Sequence, residues 1–349
     1  MGEEIFKPGL SESRRLNKMK KVLLIGGAGF IGLNICKHLG EKGGYKITIL
    51  DNFFRGKKDE VLTGLVDKYD IEVLTGDCTT PQAFDQLAKD YDNVYMLASV
   101  VGVEYTQKIP EELIRINTAL IFNTLEWLKT ASVGKVVFTS TSECYAGTIE
   151  QFGYTVPTPE EVPLCIDDIK HPRFTYAVTK MLGESGFIQY SKAYNFECTI
   201  VRYHNVYGPR MGFKHVIPQV VQRYLANENP FKLYGHDQTR SFNYIDDAVS
   251  GTVLAMETEN TNGEIFHIGD DVAEITIGEL VRYMGELMDF KGEYEPVEAH
   301  SGSVSRRCPD VSKARRVLSY SPKTDWKEGV KTTLEWYIDY LKSGKDVFE

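Results

Sequence analysis

Six short apolar runs rich in β-branched residues, KVLLIG, KITILD, IEVLTG, NVYMLA, KVVFTS and ECTIVR, recur between Lys21 and Arg202, with longer amphipathic stretches between them. Strands of that length alternating with helix-length segments predict a parallel sheet with helical crossovers. In the stretch 111–131, Leu113, Ile116, Leu120, Ile121, Leu125 and Leu128 fall at helical spacing and so share one face. Beyond Asn205 the rhythm breaks. Helices are expected over 214–227, 246–258, 277–289 and 326–343, and strands at 231–234 and in EIFHIG. No repeat, low-complexity tract or Pro/Gly/Ser-rich linker divides the chain.

Charge and composition narrow the function. A net charge of -9 argues against a nucleic-acid binder, because phosphate neutralisation needs a surplus of Lys and Arg. Anionic ligands must instead be met by local arginines. The basic cluster Arg14, Arg15, Lys18, Lys20 and Lys21 is diluted by Glu3, Glu4 and Glu12, and 1–20 reads as a flexible leader. No apolar run is long enough to span a bilayer or act as a signal peptide, and Phe6 stands where a myristoylation site needs Ser or Thr. A cytoplasmic location without membrane contact is expected. The six cysteines, Cys36, Cys78, Cys144, Cys165, Cys198 and Cys308, lack metal-ligand spacing, so reduced thiols and no metal are expected.

Gly26-Gly27-Ala28-Gly29-Phe30-Ile31-Gly32 follows a strand and opens a helix, where backbone amides can approach a pyrophosphate. Asp51 ends the second strand, where a carboxylate accepts both hydroxyls of an adenosine ribose and repels a 2'-phosphate. NAD is therefore expected over NADP, with Arg55 as the residue that would pair with a 2'-phosphate. Asp77 can reach the adenine edge, or simply shape a Gly-Asp turn. The fold expected is α/β: a Rossmann-type doubly wound parallel sheet over 21–205, to which 241–268 returns. A smaller mixed α/β substrate-binding lobe is expected from 206–240 and 269–345, with the ligand in the cleft between.

Tyr176 and Lys180 lie four residues apart, on one face of a helix. A phenol is a poor base near neutrality, and an adjacent ammonium stabilises its phenolate. Thr141, ending the fifth strand, can share the proton of a substrate hydroxyl. Alone, YxxxK is common by chance; the upstream hydroxyl is what makes it informative.

Together these strings resemble the extended short-chain dehydrogenase/reductases of the NAD-dependent nucleotide-sugar epimerase/dehydratase family. GGAGFIG, LDN (50–52), GD (76–77), STSECYA (140–146), YAVTK (176–180), RYHNVYGPR (202–210), RSFNYIDDA (240–248) and RRCPDVSKA (306–314) occur in family order. The resemblance implies that Tyr176 deprotonates a sugar hydroxyl, usually at C4, while NAD takes the hydride, and that Lys180 also holds the nicotinamide ribose. It places Phe30, Ile31, Asn52, Cys78, Leu97, Ala98 and Ser99 along the cofactor. Asn205, Arg240 and Arg307 fall on the nucleotide-sugar, Ser142 beside them. It also implies a homodimer through the helices at 111–131 and 176–194. Departures from the family pattern are Ile25, Ser99, Ala146 and Thr179, none of which removes a catalytic group.

Thr141-Ser142-Glu143 bears on the step after C4 oxidation. Simple C4-epimerases usually carry small or neutral residues at the last two places, and a glutamate points to chemistry at C5 or C6. The triplet, with Pro172-Arg173-Phe174-Thr175 leading into Tyr176, is most similar to UDP-glucuronate decarboxylases. Glucose-type 4,6-dehydratases usually have Asp where Ser142 stands. If Glu143 only caps a loop, a C4-epimerase is the expectation. A net sugar-nucleotide dehydrogenase and a non-catalytic dinucleotide sensor are the remaining alternatives; the second would have no use for Tyr176 and Lys180.

Overall fold

The computed structural model describes residues 19–299, 303–345 and 347. Apart from Met19 and Lys20, the leader expected over 1–20 lies outside the described residues. The six apolar runs form β1 (Lys20–Ile25), β2 (Tyr45–Asp51), β3 (Glu72–Thr75), β4 (Asp90–Met96), β5 (Ser132–Thr141) and β6 (Glu197–Tyr203). Between them lie α1 (Phe30–Lys42), α2 (Glu60–Tyr69), α3 (Val103–Lys108), α4 (Pro110–Leu128), α5 (Thr148–Phe152) and α6 (Thr175–Ala193). Short strands β7 (Val206–Tyr207), β8 (Phe231–Tyr234), β9 (Thr239–Ser241) and β10 (Asn243–Tyr244) come next, with α7 (Val216–Leu225) among them. The chain then runs through α8 (Ile245–Glu257), β11 (Ile265–Ile268), β12 (Glu274–Thr276) and α9 (Ile277–Leu287). It finishes with β13 (Tyr294–Val297), β14 (Arg306–Arg307), α10 (Ser312–Leu318) and α11 (Trp326–Lys342).

The principal sheet has the order β3-β2-β1-β4-β5-β6-β11, parallel throughout. Val22, Leu24, Ile47, Ile49 and Val137 enter one core with α1 and α8, whereas Leu23, Ile25, Val94, Val136 and Phe138 enter the other with α4 and α6. Burial of both faces explains why these strands read as continuous apolar runs rather than as alternations. The strand order reverses between β1 and β4, which opens a crevice at their carboxyl ends. There the amides of Leu97 and Ala98 both bond to the Ile25 carbonyl.

A third core, around Ile217, Val221, Phe231, Leu280, Met284, Val330 and Leu334, organises α7, α9 and α11 with the short strands. β9 lies between β12 and β14, β8 pairs with β13, and β7 pairs with β10. Among the described residues no helix is long and apolar enough to cross a membrane.

Candidate active site

A cavity of about 1010 Å³ runs from the glycine turn to the short strands β8, β9 and β14. Apart from Gly27, every residue singled out above for cofactor, catalysis or substrate lines it.

At the cofactor end the three motif glycines answer to different constraints. Gly26 has φ +83°, and a Cβ there would lie 2.6 Å from the Ala98 nitrogen, so the fold itself demands glycine. A Cβ on Gly32 would meet the Gly27 Cα at 2.6 Å, inside the same turn. On Gly29 it would meet only the Gly26 carbonyl oxygen at 3.4 Å, an ordinary contact. Gly29 is the N-cap of α1, makes no side-chain cap, and has no acidic residue in the first turn of the helix. Bare backbone at a helix N-terminus, with room that the protein does not fill, fits a pyrophosphate.

Asp51 accepts the amides of Ala28 at 2.9 Å and Phe53 at 2.8 Å, one on each carboxylate oxygen, so it braces the turn. Burial raises its carboxyl above the ordinary range, and those two amides pull it back. Each oxygen retains acceptor capacity for a ribose hydroxyl. Asp77 accepts the Thr79 amide at 3.0 Å, a turn-shaping bond, and the Cys78 carbonyl accepts from Asn123 at 3.0 Å. Arg55, the expected partner for a 2'-phosphate, lines the same cavity. The loop that carries it is tied to the segment after β7 by Arg210, whose guanidinium holds Asp59 at 2.7 Å.

At the catalytic end, α6 presses on β5 because Gly183 faces the Phe138 ring with no side chain between them. Tyr176, Lys180 and Thr141 all line this end of the cavity. The Thr141 hydroxyl accepts the Glu143 amide at 3.2 Å and keeps its own proton to donate. Burial pushes the Tyr176 phenol up, reinforced by Cys144 and Glu143, and opposed by Arg55 and a hydrogen bond with Ser99. Lys180 follows Tyr176 by one turn of α6. Its ammonium donates to the Thr139 carbonyl at 2.8 Å and stands 5.7 Å from the Tyr176 ring centre, while burial pushes it down to about 8.

Glu143 is the meeting point of three arginines. Arg307 donates to its Oε1 at 2.5 Å, and Arg173 stands 3.7 Å from the same oxygen. Burial alone would raise this carboxyl; Arg307 first and Arg173 next outweigh burial and hold it below the ordinary glutamate range, with Arg240 adding to them. Arg240 is pushed down to about 10, by burial and then by Arg307. It donates to the Thr239 carbonyl and the Gln238 side chain, while Asn205 donates to the Ser241 carbonyl at 2.8 Å. Ser142 is buried beneath this group.

Two residues were missed in the sequence. Arg173 appeared only as part of a lead-in to Tyr176. Asn117 was passed over, although a polar residue on the apolar face of α4 was a visible signal. It accepts the Val100 amide at 2.8 Å and bonds to the Ser99 hydroxyl at 3.2 Å and Thr179 at 3.4 Å. Asn117 thereby locks the β4 loop to α6 beneath Tyr176.

Residues 22–269 match the NAD dependent epimerase/dehydratase family. The UDP-N-acetyl-alpha-D-glucosaminuronate decarboxylase of Bacillus cytotoxicus is 33% identical over 331 residues, covering 91% of this chain and 98% of the relative. UDP-glucuronic acid decarboxylase 5 of Arabidopsis thaliana is 30% identical, covering 92% and 90% respectively. Among solved structures, UDP-glucuronic acid 4-epimerase from Bacillus cereus, in complex with UDP-glucuronic acid and NAD, superposes with a TM-score of 0.79. It is 25% identical, covering 91% of this chain and 99% of that one. The glycine turn, the hydroxyl, tyrosine and lysine at the reversal of a parallel sheet, and these matches together place the chain in the NAD-dependent epimerase/dehydratase family of nucleotide-sugar enzymes.

Proposed function

We propose that this enzyme decarboxylates a UDP-linked uronic acid by oxidising the sugar at C4 and releasing C6 as carbon dioxide. The observation that carries the reading is Glu143, held ionised among Arg307, Arg173 and Arg240 at the tyrosine end of the cavity. Similarity to two decarboxylases of UDP-uronates supports it.

In this reading Tyr176 receives the C4 hydroxyl proton, Thr141 donates to the same oxygen, and Lys180 supplies positive charge from beneath. Gly26, Gly29, Phe30, Ile31, Gly32, Asp51, Asn52, Asp77, Cys78 and Leu97 to Ser99 would hold NAD, which would supply the reversible hydride acceptor for C4. A C4 ketone makes the C6 carboxylate that of a β-keto acid. The C5–C6 bond then breaks, its electron pair moves toward the C4 oxygen, and the Tyr176 phenol hydrogen-bonds that oxygen as charge develops. Glu143 presents a second negative charge near the departing carboxylate and favours its loss as a neutral molecule. C5 finally takes a proton from solvent. Asn205, Arg240 and Arg307 anchor the nucleotide-sugar, with Ser142 shaping the floor.

A C4-epimerase is the second reading. It is favoured by the Glu143–Arg307 ion pair itself, since a carboxylate so occupied is also what a purely structural role would look like. Incubation with UDP-glucuronate, UDP-N-acetylglucosaminuronate and neutral UDP-sugars, with products weighed by mass spectrometry, separates the two. The proposal requires loss of carbon dioxide from a uronate and its abolition in Glu143→Gln. An isomer of unchanged mass that survives the substitution makes the enzyme an epimerase.

The same proposal includes a homodimer. α4 and α6 lie together and expose Ile114, Phe122, Val178 and Leu182, an apolar strip suited to a second copy.

A further inference from the structure

Glu143 has one carboxylate to set against several guanidinium groups, and Arg173 is left without a close acid oxygen of its own. Its nearest acid oxygen, at 3.7 Å, is already taken by Arg307 at 2.5 Å. Among the described residues, Arg173 Nε and Arg307 Nη2 are buried N–H groups with no hydrogen-bond acceptor. Both side chains line the cavity, and Arg307 is only 6% exposed. Burial pushes Arg173 below the ordinary arginine range, and Arg307 adds to that where Glu143 only partly compensates. Buried donors left unpaired cost free energy unless a ligand completes them.

The position of Arg173 says which part of a ligand that is. It sits in the turn Pro172–Phe174 that leads directly into α6, three residues before Tyr176. Phe174 pins this turn by packing on Ala146, Val304 and Ile166. Arg240 and Arg307 come from β9 and β14 of the second lobe, whereas Arg173 belongs to the element that carries the phenol. A group met by Arg173 is therefore on the sugar and close to C4, not on the diphosphate.

Building on the decarboxylase reading, we infer that Arg173 is the specificity-determining residue that receives the C6 carboxylate, with the unpaired edge of Arg307 as its second donor. A planar guanidinium fork matches a carboxylate, and a neutral hydroxymethyl group in its place leaves the charge uncompensated. Glu143 lies between the two arginines, so the site holds the carboxylate while keeping a like charge against it.

The test is equilibrium binding to the NAD-loaded enzyme in a Tyr176→Phe background, which prevents turnover, with UDP-glucuronate, UDP-glucose and UDP as probes. Arg173→Met is expected to weaken UDP-glucuronate about 10- to 100-fold, the worth of a charge-assisted pair, and to leave UDP-glucose and UDP within about twofold. Should Arg173→Met fail to fold, Arg173→Gln carries the same expectation with a smaller change of shape. Equal weakening of all three probes, or an undiminished preference for the uronate, overturns the inference while leaving the decarboxylase reading intact. If the unsubstituted enzyme prefers neither UDP-glucuronate over UDP-glucose nor UDP-N-acetylglucosaminuronate over UDP-N-acetylglucosamine, that reading fails first and the inference with it.

Discussion

A single methyl group distinguishes the glycines that build the turn from the one that serves a ligand. Gly26→Ala adds a Cβ at positive φ against the Ala98 backbone and is expected to destabilise the fold by more than ~1 kcal/mol. Gly29→Ala meets no such obstacle, and the expected loss is below ~1 kcal/mol, with NAD binding weakened about 10-fold or more. Thermal melts paired with NAD titrations check both; a Gly29→Ala protein that binds NAD normally would place the pyrophosphate elsewhere. Lys180 offers a pH test. Held down to about 8, it is an ammonium below that pH and an amine above, so kcat/KM is expected to fall as pH rises through about 8. Lys180→Arg, charged throughout, should abolish that alkaline fall; an unchanged limb would assign it to another group. Tyr176, Lys180 and the glycines were legible in the sequence because each belongs to a short local motif, YxxxK or GGAGFIG. The Glu143–Arg307 pair spans 164 residues, and no local pattern announces such a contact.

Elements position these side chains through a few close approaches. α6 can lie on β5 only because Gly183 carries no side chain against Phe138, and Asn117 then ties α4 and α6 to the β4 loop. Gly183→Val should lift α6, with a stability cost of about 1–3 kcal/mol and a fall in kcat larger than any change in NAD affinity. A variant with normal kcat would detach Tyr176 geometry from this contact. The strands of the main sheet were readable because burial on both faces gives long apolar runs. β7, β9, β10, β12 and β14 were not, since two or three residues carry no period and their pairing is decided by distant chain. α10 escaped for a related reason: seven residues, rich in arginine, with only Ala314 and Leu318 buried.

Across the whole molecule, one cavity is lined both by the carboxyl ends of the main sheet and by the short strands β8, β9 and β14. The Arg210–Asp59 ion pair joins the loop after β2 to the segment after β7, and Arg307 crosses from β14 to Glu143. The exposed strip on α4 and α6 extends the same logic outward, because those helices carry or brace Tyr176. Phe122→Asp with Leu182→Asp is expected to convert a dimer into a monomer by light scattering; a monomeric parent protein would contradict the assembly. The measurement that bears most directly on the proposed reaction is the mass of the product formed from UDP-glucuronate and UDP-N-acetylglucosaminuronate by the NAD-loaded enzyme. A product lighter by one carbon dioxide, absent with Glu143→Gln, is what the arginine-bound Glu143 predicts. A product of unchanged mass, formed equally well by the variant, would contradict decarboxylation and leave Glu143 as a brace in an epimerase.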